Sequence, residues 1–193
     1  MLIQRIWSMP NKDTFSIAPI KRWIESAVAA HCTTKDGRGL WVDPFVRNSP
    51  FKLWCTSNDL NPNIKADYHL DALEFLKLFD DSSVDGVFYD PPYSPRQIKE
   101  CYEGIGKKVT IKDTQSSFWG DLKKEISRIV KPGGHVFSFG WNSGGIGKTL
   151  NFHIIEILLV PHGGAHHDTI CVFEKKRRSA IQLCLSHCSP AEQ

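Results

Sequence analysis

Gly86-Val87-Phe88-Tyr89-Asp90-Pro91-Pro92-Tyr93, residues 86–93, is the stretch of sequence that decides the fold. Its first four residues form an apolar run between two aspartates, Asp85 and Asp90, and the run is short enough to be a strand buried on both faces of a parallel sheet. The paired prolines then end the strand, because proline donates no hydrogen bond to a ladder. The stretch therefore predicts a central parallel strand whose tip carries Asp90 and Tyr93.

Short β-rich runs alternate with segments of helical periodicity on either side of this stretch. Ser94-Pro95 marks one helix start, because serine caps a helix and proline fits its first turn. The predicted strands cover residues 39–42, 53–57, 86–89, 135–139, 152–160 and 169–173, and the predicted helices cover residues 16–30, 71–79, 94–102, 118–130 and 147–151. This order predicts an α/β sheet, mostly parallel with a C-terminal antiparallel hairpin, and helices on both faces.

The composition is that of an ordinary globular domain. Of the 193 residues, 41% are hydrophobic and 23% are charged, which argues against intrinsic disorder and fibrous architectures. No apolar run approaches the about 20 residues that span a bilayer, and no signal segment precedes Pro10, so we expect a cytoplasmic protein without membrane contact. The six cysteines form no CxxC pair and are expected to be reduced thiols. We expect one domain, residues 1–178, and a tail, residues 179–193.

The tetrad Asp90-Pro91-Pro92-Tyr93 has the side chains needed to hold an amino group attached to a ring. A carboxylate and a proline carbonyl in a rigid loop can accept both amine hydrogens, and Tyr93 offers a face on which the ring stacks. A plain proline turn is the alternative interpretation, but a turn requires neither the acid nor the tyrosine. Ligands of such sheets bind beyond the carboxyl ends of the strands, where Asp43 and Asp59 are also expected.

The tetrad resembles the DPPY motif of the nucleic-acid amino-methyltransferases that use S-adenosylmethionine, in which it marks enzymes acting on the exocyclic nitrogen of adenine. Further matches, in the motif order of one subgroup of that family, extend from about Thr14 to Lys175. The resemblance implies a Rossmann-like methyltransferase sheet and S-adenosylmethionine as the cofactor. It also implies catalytic roles for Asp90, Pro91, Pro92 and Tyr93.

The same resemblance implies which residues bind the cofactor. The implied contacts are Phe15, Ser16 and Ile17 with the methionine part, Asp43, Pro44 and Phe45 in the first cofactor loop, Asp59, Leu60 and Asn61 with the ribose, and Asp71 and Ala72 beside the adenine ring. Elementary chemistry supports the acids independently. A carboxylate at a strand tip can accept two ribose hydroxyl hydrogen bonds, and acids at successive tips surround a cationic sulfonium with negative potential.

The first cofactor loop departs from the family pattern. The family has a glycine-rich turn after its DPF motif, whereas this chain has Val46-Arg47-Asn48-Ser49 without a glycine. Two interpretations remain open: Arg47 binds the carboxylate of the cofactor, or cofactor binding is weakened. A solvated loop arginine is an equally good reading of Arg47.

The segment between the last two strands contains His162, His166, His167 and Asp168, a group that invites a metal-site interpretation. Adjacent histidines diverge in extended backbone and the expected reaction needs no metal, so no metal is predicted. In the resembling family this hairpin reaches the target base, which implies that His162 contacts the substrate. The spacing of Cys184, His187 and Cys188 fits no familiar zinc module. The segment that contains them is expected to be a helical or disordered tail.

The basic segment 104–115 is predicted to be a loop. Its Lys107, Lys108 and Lys112 are placed to contact phosphates, and a solvated loop is equally consistent with the sequence. Such contacts position a duplex without reading it. Because no insertion is long enough for a recognition domain, specificity is expected to be short or loose, or to come from loops, from a homodimer or from a specificity subunit.

These observations predict methyl transfer from S-adenosylmethionine to the exocyclic N6 of adenine in a nucleic acid, most simply DNA. The target base would leave the duplex stack and lie against Tyr93. Three alternatives remain: an enzyme acting on RNA or on cytosine N4, a non-catalytic cofactor- or nucleic-acid-binding subunit of a modification complex, and a small-molecule methyltransferase. The last would not need the tetrad and ranks lowest.

Overall fold

The computed structural model describes residues 1–32, 39–107, 115–164 and 166–178. Within these ranges, seven strands form one sheet in the order β1-β6-β7-β5-β4-β2-β3. The strands are β1 (Leu2–Arg5), β2 (Trp41–Asp43), β3 (Thr56–Ser57), β4 (Val84–Tyr89), β5 (Val130–Gly140), β6 (Phe152–Val160) and β7 (Thr169–Lys176). The helices are α1 (Ala18–His31), α2 (Ala72–Leu76), α3 (Pro95–Glu103) and α4 (Ser116–Ile129).

The strand directions confirm the predicted sheet. β5, β4, β2 and β3 are paired in parallel, and β7 lies antiparallel between β5 and β6. β1 adds a parallel strand beyond β6. The sheet is therefore mostly parallel and carries the predicted C-terminal antiparallel hairpin.

Alternate residues of the strands enter two apolar cores on opposite faces of the sheet. On β4, Phe88 belongs to the core beneath α1, whereas Val87 and Tyr89 belong to the core shared with α2 and α4. The core beneath α1 is mainly aromatic: the ring centroid of Phe137 lies 4.4 Å from that of Phe173 and 5.3 Å from that of Trp23. Helices on both faces, as predicted, leave β4 without an exposed face.

The structure corrects three details of the prediction. β1 was not expected from the sequence; it is a short strand that pairs with β6, and its Leu2 and Ile3 side chains are exposed. Residues 52–54 form a 3-10 turn, so β3 is shorter than the predicted strand 53–57. β5 begins at Val130, directly after α4.

The Lys131–Gly134 segment explains this early start of β5. Val84 on β4 pairs with Val130, and Gly86 pairs with His135, so residues 131–134 bulge out of the ladder. A Cβ at Gly134 would lie 2.9 Å from the carbonyl oxygen of Asp85, which leaves room for glycine alone. The prolyl-glycyl segment thus ends α4, as predicted, but within a bulged strand rather than before it.

No helix in the described ranges is long and apolar enough to cross a membrane. The predicted tail, residues 179–193 with Cys184, His187 and Cys188, lies outside the described residues, as does Lys108. Among the residues that are described, no group of three or more His, Cys, Asp or Glu side chains is arranged to hold a metal ion.

We expect Phe137→Ala to lower the free energy of unfolding by about 3 to 5 kcal/mol, because the deletion leaves a cavity among rings that cannot all collapse into it. Urea denaturation measures the change. Leu53→Ala is the control, since that side chain is 93% exposed and its truncation should alter stability little. Equal effects of the two substitutions would contradict the assigned core.

We expect His135 to make stability fall at acid pH. Its ring stacks on Phe173, and burial, followed by the positive charge of Lys175, lowers its pKa from 6.5 to about 4. The folded protein therefore binds this proton less readily than the unfolded chain, so stability present above pH 6.5 is lost as the pH falls towards 4. The loss reaches at most about 3 kcal/mol.

Urea unfolding between pH 7 and pH 4 tests this expectation, with His135→Phe as the matched variant that keeps the ring stack. The variant should show a shallower acid loss than the wild type. Parallel curves would mean that His135 does not carry the effect.

Candidate active site

Three aspartates lie at the carboxyl edge of the sheet, as the sequence predicts. Asp43 is the last residue of β2, Asp59 follows β3 by two residues, and Asp90 directly follows β4. These strands are neighbours, because β4 pairs with β2 and β2 pairs with β3. A small pocket opens between Phe15, Phe45, Arg47 and Asp90 and joins segments that the sequence analysis assigned separately.

The Asp90–Tyr93 loop is held from several sides. The hydroxyl of Tyr93 donates a hydrogen bond to the Asp90 carboxylate, and the side chain of Thr14 bonds to both residues. The indole Nε1 of Trp119 donates to the carbonyl oxygen of Pro92 at 2.8 Å, and the backbone N–H of Tyr93 donates to Oε1 of Gln97 at 2.6 Å. The loop is therefore rigid before any ligand binds.

The surroundings of the Asp90 carboxyl group raise its pKa. Desolvation raises its pKa, and the hydrogen bonds from Tyr93 and Thr14, together with the charge of Arg47, lower it in part. A carboxylate with this surrounding is a strong acceptor for an incoming N–H group, because little water competes for it.

Asp43 is fully buried and incompletely bonded. Its Oδ1 accepts a hydrogen bond from the backbone N–H of Phe45 at 2.9 Å, but its Oδ2 has no partner. Burial, and then the nearby charges of Asp90 and Asp59, raise the pKa of this carboxyl group well above its ordinary value. This unpaired buried carboxyl oxygen lies two residues before Phe45, which lines the pocket, and it fits a ligand that brings a positive charge or a hydrogen-bond donor.

Asp59 binds the backbone of two loops. Its Oδ2 accepts from the N–H of Arg47 at 3.0 Å and its Oδ1 from the N–H of Asn61 at 2.8 Å. Each carboxylate oxygen retains further acceptor capacity, so the ribose contact stays a prediction. The structure shows that Asp59 joins the loop after β2 to the loop after β3.

Arg47 occupies a glycine-like position. Its φ of 43° lies in the left-handed region, which costs a residue with a side chain roughly 1 to 2 kcal/mol. A conformation that glycine usually occupies is thus adopted here by an arginine. The guanidinium Nε lies 3.9 Å from a carboxylate oxygen of Asp13 and remains half-exposed.

The other predicted cofactor residues have two kinds of surroundings. Phe15 and Ile17 are buried in the core beneath α1, while Ser16 is exposed. Pro44, Phe45, Leu60 and Asn61 lie in loops at the carboxyl edge, and Ala72 is buried in α2. Asp71 caps α2 and also accepts a 2.8 Å hydrogen bond from the hydroxyl of Tyr102 on α3.

His162 is engaged within the protein. Its Nδ1 lies 2.9 Å from the carbonyl oxygen of Ser8, and its Nε2 lies 2.8 Å from the hydroxyl of Thr169. The imidazole therefore joins the segment after β1 to the β6–β7 connection. The predicted contact of His162 with a base stays a prediction. Lys107 is exposed at the end of the segment after α3, while Lys108 and Lys112 lie outside the described residues.

Sequence reasoning missed three supporting residues. Thr14 lies in the segment that was recognised, but nothing in its spacing indicated contact with Asp90 and Tyr93. Trp119 on α4 is distant in sequence from the proline whose carbonyl it binds. Asn58 is buried and binds the carbonyl oxygens of Pro44 and Leu70, a role that its place beside Asp59 could have suggested.

Comparison with known proteins places the fold. No protein-family model matches the chain. The type II methyltransferase M.BamHI of Bacillus amyloliquefaciens is 33% identical over 91 residues, which cover 44% of this chain and 21% of that protein. The chain thus spans about a fifth of the length of this curated relative.

Three solved structures share the architecture. A SAM-dependent methyltransferase from Archaeoglobus fulgidus has a TM-score of 0.56 at 11% identity, over 82% of this chain and 92% of that one. The N-methyltransferase NodS of Bradyrhizobium japonicum WM9 has a TM-score of 0.52 at 8% identity, over 82% and 94% of the two chains.

The third structure is the 1,6-didemethyltoxoflavin-N1-methyltransferase of Burkholderia thailandensis, which has bound S-adenosylhomocysteine. Its TM-score is 0.50 at 10% identity, over 83% of each chain. The chain therefore has the Rossmann-like fold of S-adenosylmethionine-dependent methyltransferases.

We expect Arg47→Gly to be more stable than Arg47→Ala by about 1 kcal/mol, because only glycine adopts the left-handed conformation of this turn without strain. Both variants lose the guanidinium, so the pair isolates the backbone effect. Thermal or urea unfolding of the two proteins measures the difference. Equal stabilities would show that residue 47 leaves the left-handed region once arginine is removed.

Proposed function

We propose that this protein transfers a methyl group from S-adenosylmethionine to the exocyclic N6 of adenine in DNA. The observation that carries the proposal is the Asp90–Tyr93 pair, hydrogen-bonded together at the tip of β4 with the buried Asp43 at the neighbouring tip. The match to a type II methyltransferase supports methyl transfer, and the tetrad resemblance supports an amino group of a base as its target.

The residues at the carboxyl edge fit this cofactor. The unpaired Oδ2 of Asp43 is suited to the ammonium group of the methionine part, since that group brings both a positive charge and donors. Asp59, Asp71 and the 44–45 loop would hold the remainder as the sequence analysis assigned. When bound, S-adenosylmethionine supplies an electrophilic methyl group on a cationic sulfonium.

Asp90 and Tyr93 would orient the acceptor amine. Asp90 accepts one amine hydrogen and the carbonyl oxygen of Pro91 accepts the other, so that the nitrogen lone pair is directed at the methyl group. Tyr93 anchors Asp90 through its hydroxyl and offers its ring to the base. Asp90 is thus chiefly an orienting acceptor, and the amine proton leaves during or after methyl transfer.

A base inside a duplex cannot reach this pocket. Asp90 lines a small pocket among protein side chains and is only partly exposed, so the target nucleotide has to leave the stack before it can bind. Unstacking costs a few kcal/mol and is cheapest where the base is mispaired or already single-stranded. A substrate with an unpaired target base is therefore favoured by the same geometry.

We expect Asp90→Asn to lower methylation of DNA at least a hundredfold while leaving S-adenosylmethionine binding within a few-fold of wild type, because the amide loses the charged acceptor but keeps the shape. Nucleoside mass spectrometry after incubation with mixed-sequence DNA and RNA measures the product, and calorimetry measures cofactor affinity. Asp121→Asn, at an exposed aspartate on α4 paired with Lys124, is the matched control.

Each alternative has its own outcome in this experiment. Methylated deoxycytidine would move the target to cytosine N4, and methylated adenosine confined to RNA would move the substrate to RNA. Cofactor binding without any methylated base would indicate a non-catalytic subunit, and methylation of a small-molecule acceptor in place of nucleic acid would indicate a small-molecule methyltransferase. Comparable activity of the Asp90→Asn protein would remove Asp90 from the assigned role.

A further inference from the structure

Two exposed tryptophans flank the loop that joins β6 to β7. Trp7 is 60% exposed and follows β1, and Trp141 is 40% exposed and follows β5. In the sheet order β1-β6-β7-β5, the described parts of this loop, residues 161–164 and 166–168, lie between them. Indoles exposed on both sides of a loop at the edge of the sheet where ligands bind are candidates for a binding surface.

Trp7 is fixed at the outer end of this loop. The ladder between β1 and β6 continues past Arg5, since the N–H of Ile6 donates to Leu159 at 2.9 Å and that of Ser8 donates to Pro161 at 3.2 Å. The His162 imidazole then holds the carbonyl oxygen of Ser8. A Cβ at Gly163 would lie 3.6 Å from the indole Nε1, so this ring rests against the loop backbone.

Trp141 is fixed at the inner end of the loop and reaches the active site. Its ring centroid lies 4.4 Å from that of His167, with the planes inclined by 36°. It also lies 5.7 Å from the ring of Tyr93, edge to face. Trp141 and His167 thus contact each other at the inner end of the loop, and Trp7 lies against the loop at its outer end. We call these three exposed rings the aromatic ledge; its inner end contacts Tyr93.

We propose that this aromatic ledge binds the unpaired nucleotides that flank the target base, so that the preferred substrate is a single-stranded or locally opened nucleic acid. The inference rests on the proposed function, because it is the contact of Trp141 with Tyr93 that joins the ledge to the base site. Exposed aromatic faces bind successive bases by stacking and tolerate any sequence, since every base has a π-face.

The dimensions and charges of the ledge suit such a strand. Three strand-to-strand steps separate β1 from β5, a span of about 14 Å at roughly 4.8 Å per step. A fully stacked strand advances about 3.4 Å per nucleotide, so the ledge spans at most about four nucleotides, and fewer when bases lie against its rings. The exposed Arg5 lies two residues before Trp7 on the same face of this extended segment, where it can contact a phosphate.

A paired duplex cannot use the ledge in this way. The faces of its bases are covered by their neighbours in the stack, and only its edges and phosphates are accessible. Unpaired nucleotides expose those faces. The ledge therefore distinguishes unpaired from paired nucleotides and does not distinguish one base sequence from another. The base site favours an unpaired target base; this inference extends the preference to the nucleotides on either side of it.

Fluorescence anisotropy of a labelled 12-nucleotide single strand, and of the matching duplex, tests the inference without requiring any methylation. We expect Trp7→Leu and Trp141→Leu each to weaken single-strand binding about tenfold and duplex binding much less, because leucine keeps apolar area but has no π-face. Trp141→Phe should retain most of the affinity. Leu78→Ala, at an exposed position after α2, is the control that should change neither affinity.

Thermal unfolding shows whether each variant is folded. If a leucine variant does not fold, Trp141→Phe still tests the inference. Unchanged single-strand affinity in the folded variants, or stronger binding of the duplex by wild type, would overturn the inference. So would a stable homodimer that buries Trp7, shown by light scattering and by the oligomeric state of Trp7→Leu.

The two proposals fail in distinguishable ways. Loss of single-strand affinity in the tryptophan variants, without methylation by wild type, would support the ledge and count against the catalytic proposal. Methylation of duplex and single-stranded DNA at equal rates, unaffected by Trp7→Leu and Trp141→Leu, would support catalysis and overturn the ledge.

Discussion

The burial of β4 between β2 and β5 is the constraint on which the rest of the structure depends. Phe88 is fully buried on one face of this strand and Val87 on the other. A strand with no exposed face cannot slip by one residue, because every apolar side chain would move to the wrong core. Asp90 is therefore held at a defined height beside Asp43, and α3 starts at a defined point after it.

The electrostatics of the carboxyl edge follow from this rigidity. Desolvation raises the pKa values of Asp43 and Asp90, which means that the fold spends free energy on keeping two acceptors out of water. Part of that cost is offset by the Phe45 N–H and the Tyr93 hydroxyl. A ligand that brings hydrogen-bond donors or positive charge can offset the rest of this desolvation cost, as the proposed cofactor and amine both would.

The fold was largely predictable because its signals are local. The 86–93 stretch, the helical periods and the Ser94-Pro95 start each depend on neighbouring residues, and the structure contains the corresponding elements. β1 escaped prediction because four residues at a sheet edge, with exposed side chains, carry no burial pattern. The bulge at residues 131–134 escaped because its register depends on pairing with β4, which lies elsewhere in the chain.

The sequence by itself determined the order of the elements and the chemistry at their tips: an acid after each of three strands, and a tyrosine three residues after Asp90. Only the tertiary structure decided which groups meet there. It brought Thr14 and Trp119 to the tetrad, gave Arg47 a glycine-like turn and placed Trp141 between Tyr93 and His167. Contacts between residues far apart in the chain arise from how the strands order in the sheet, and no local pattern encodes that order.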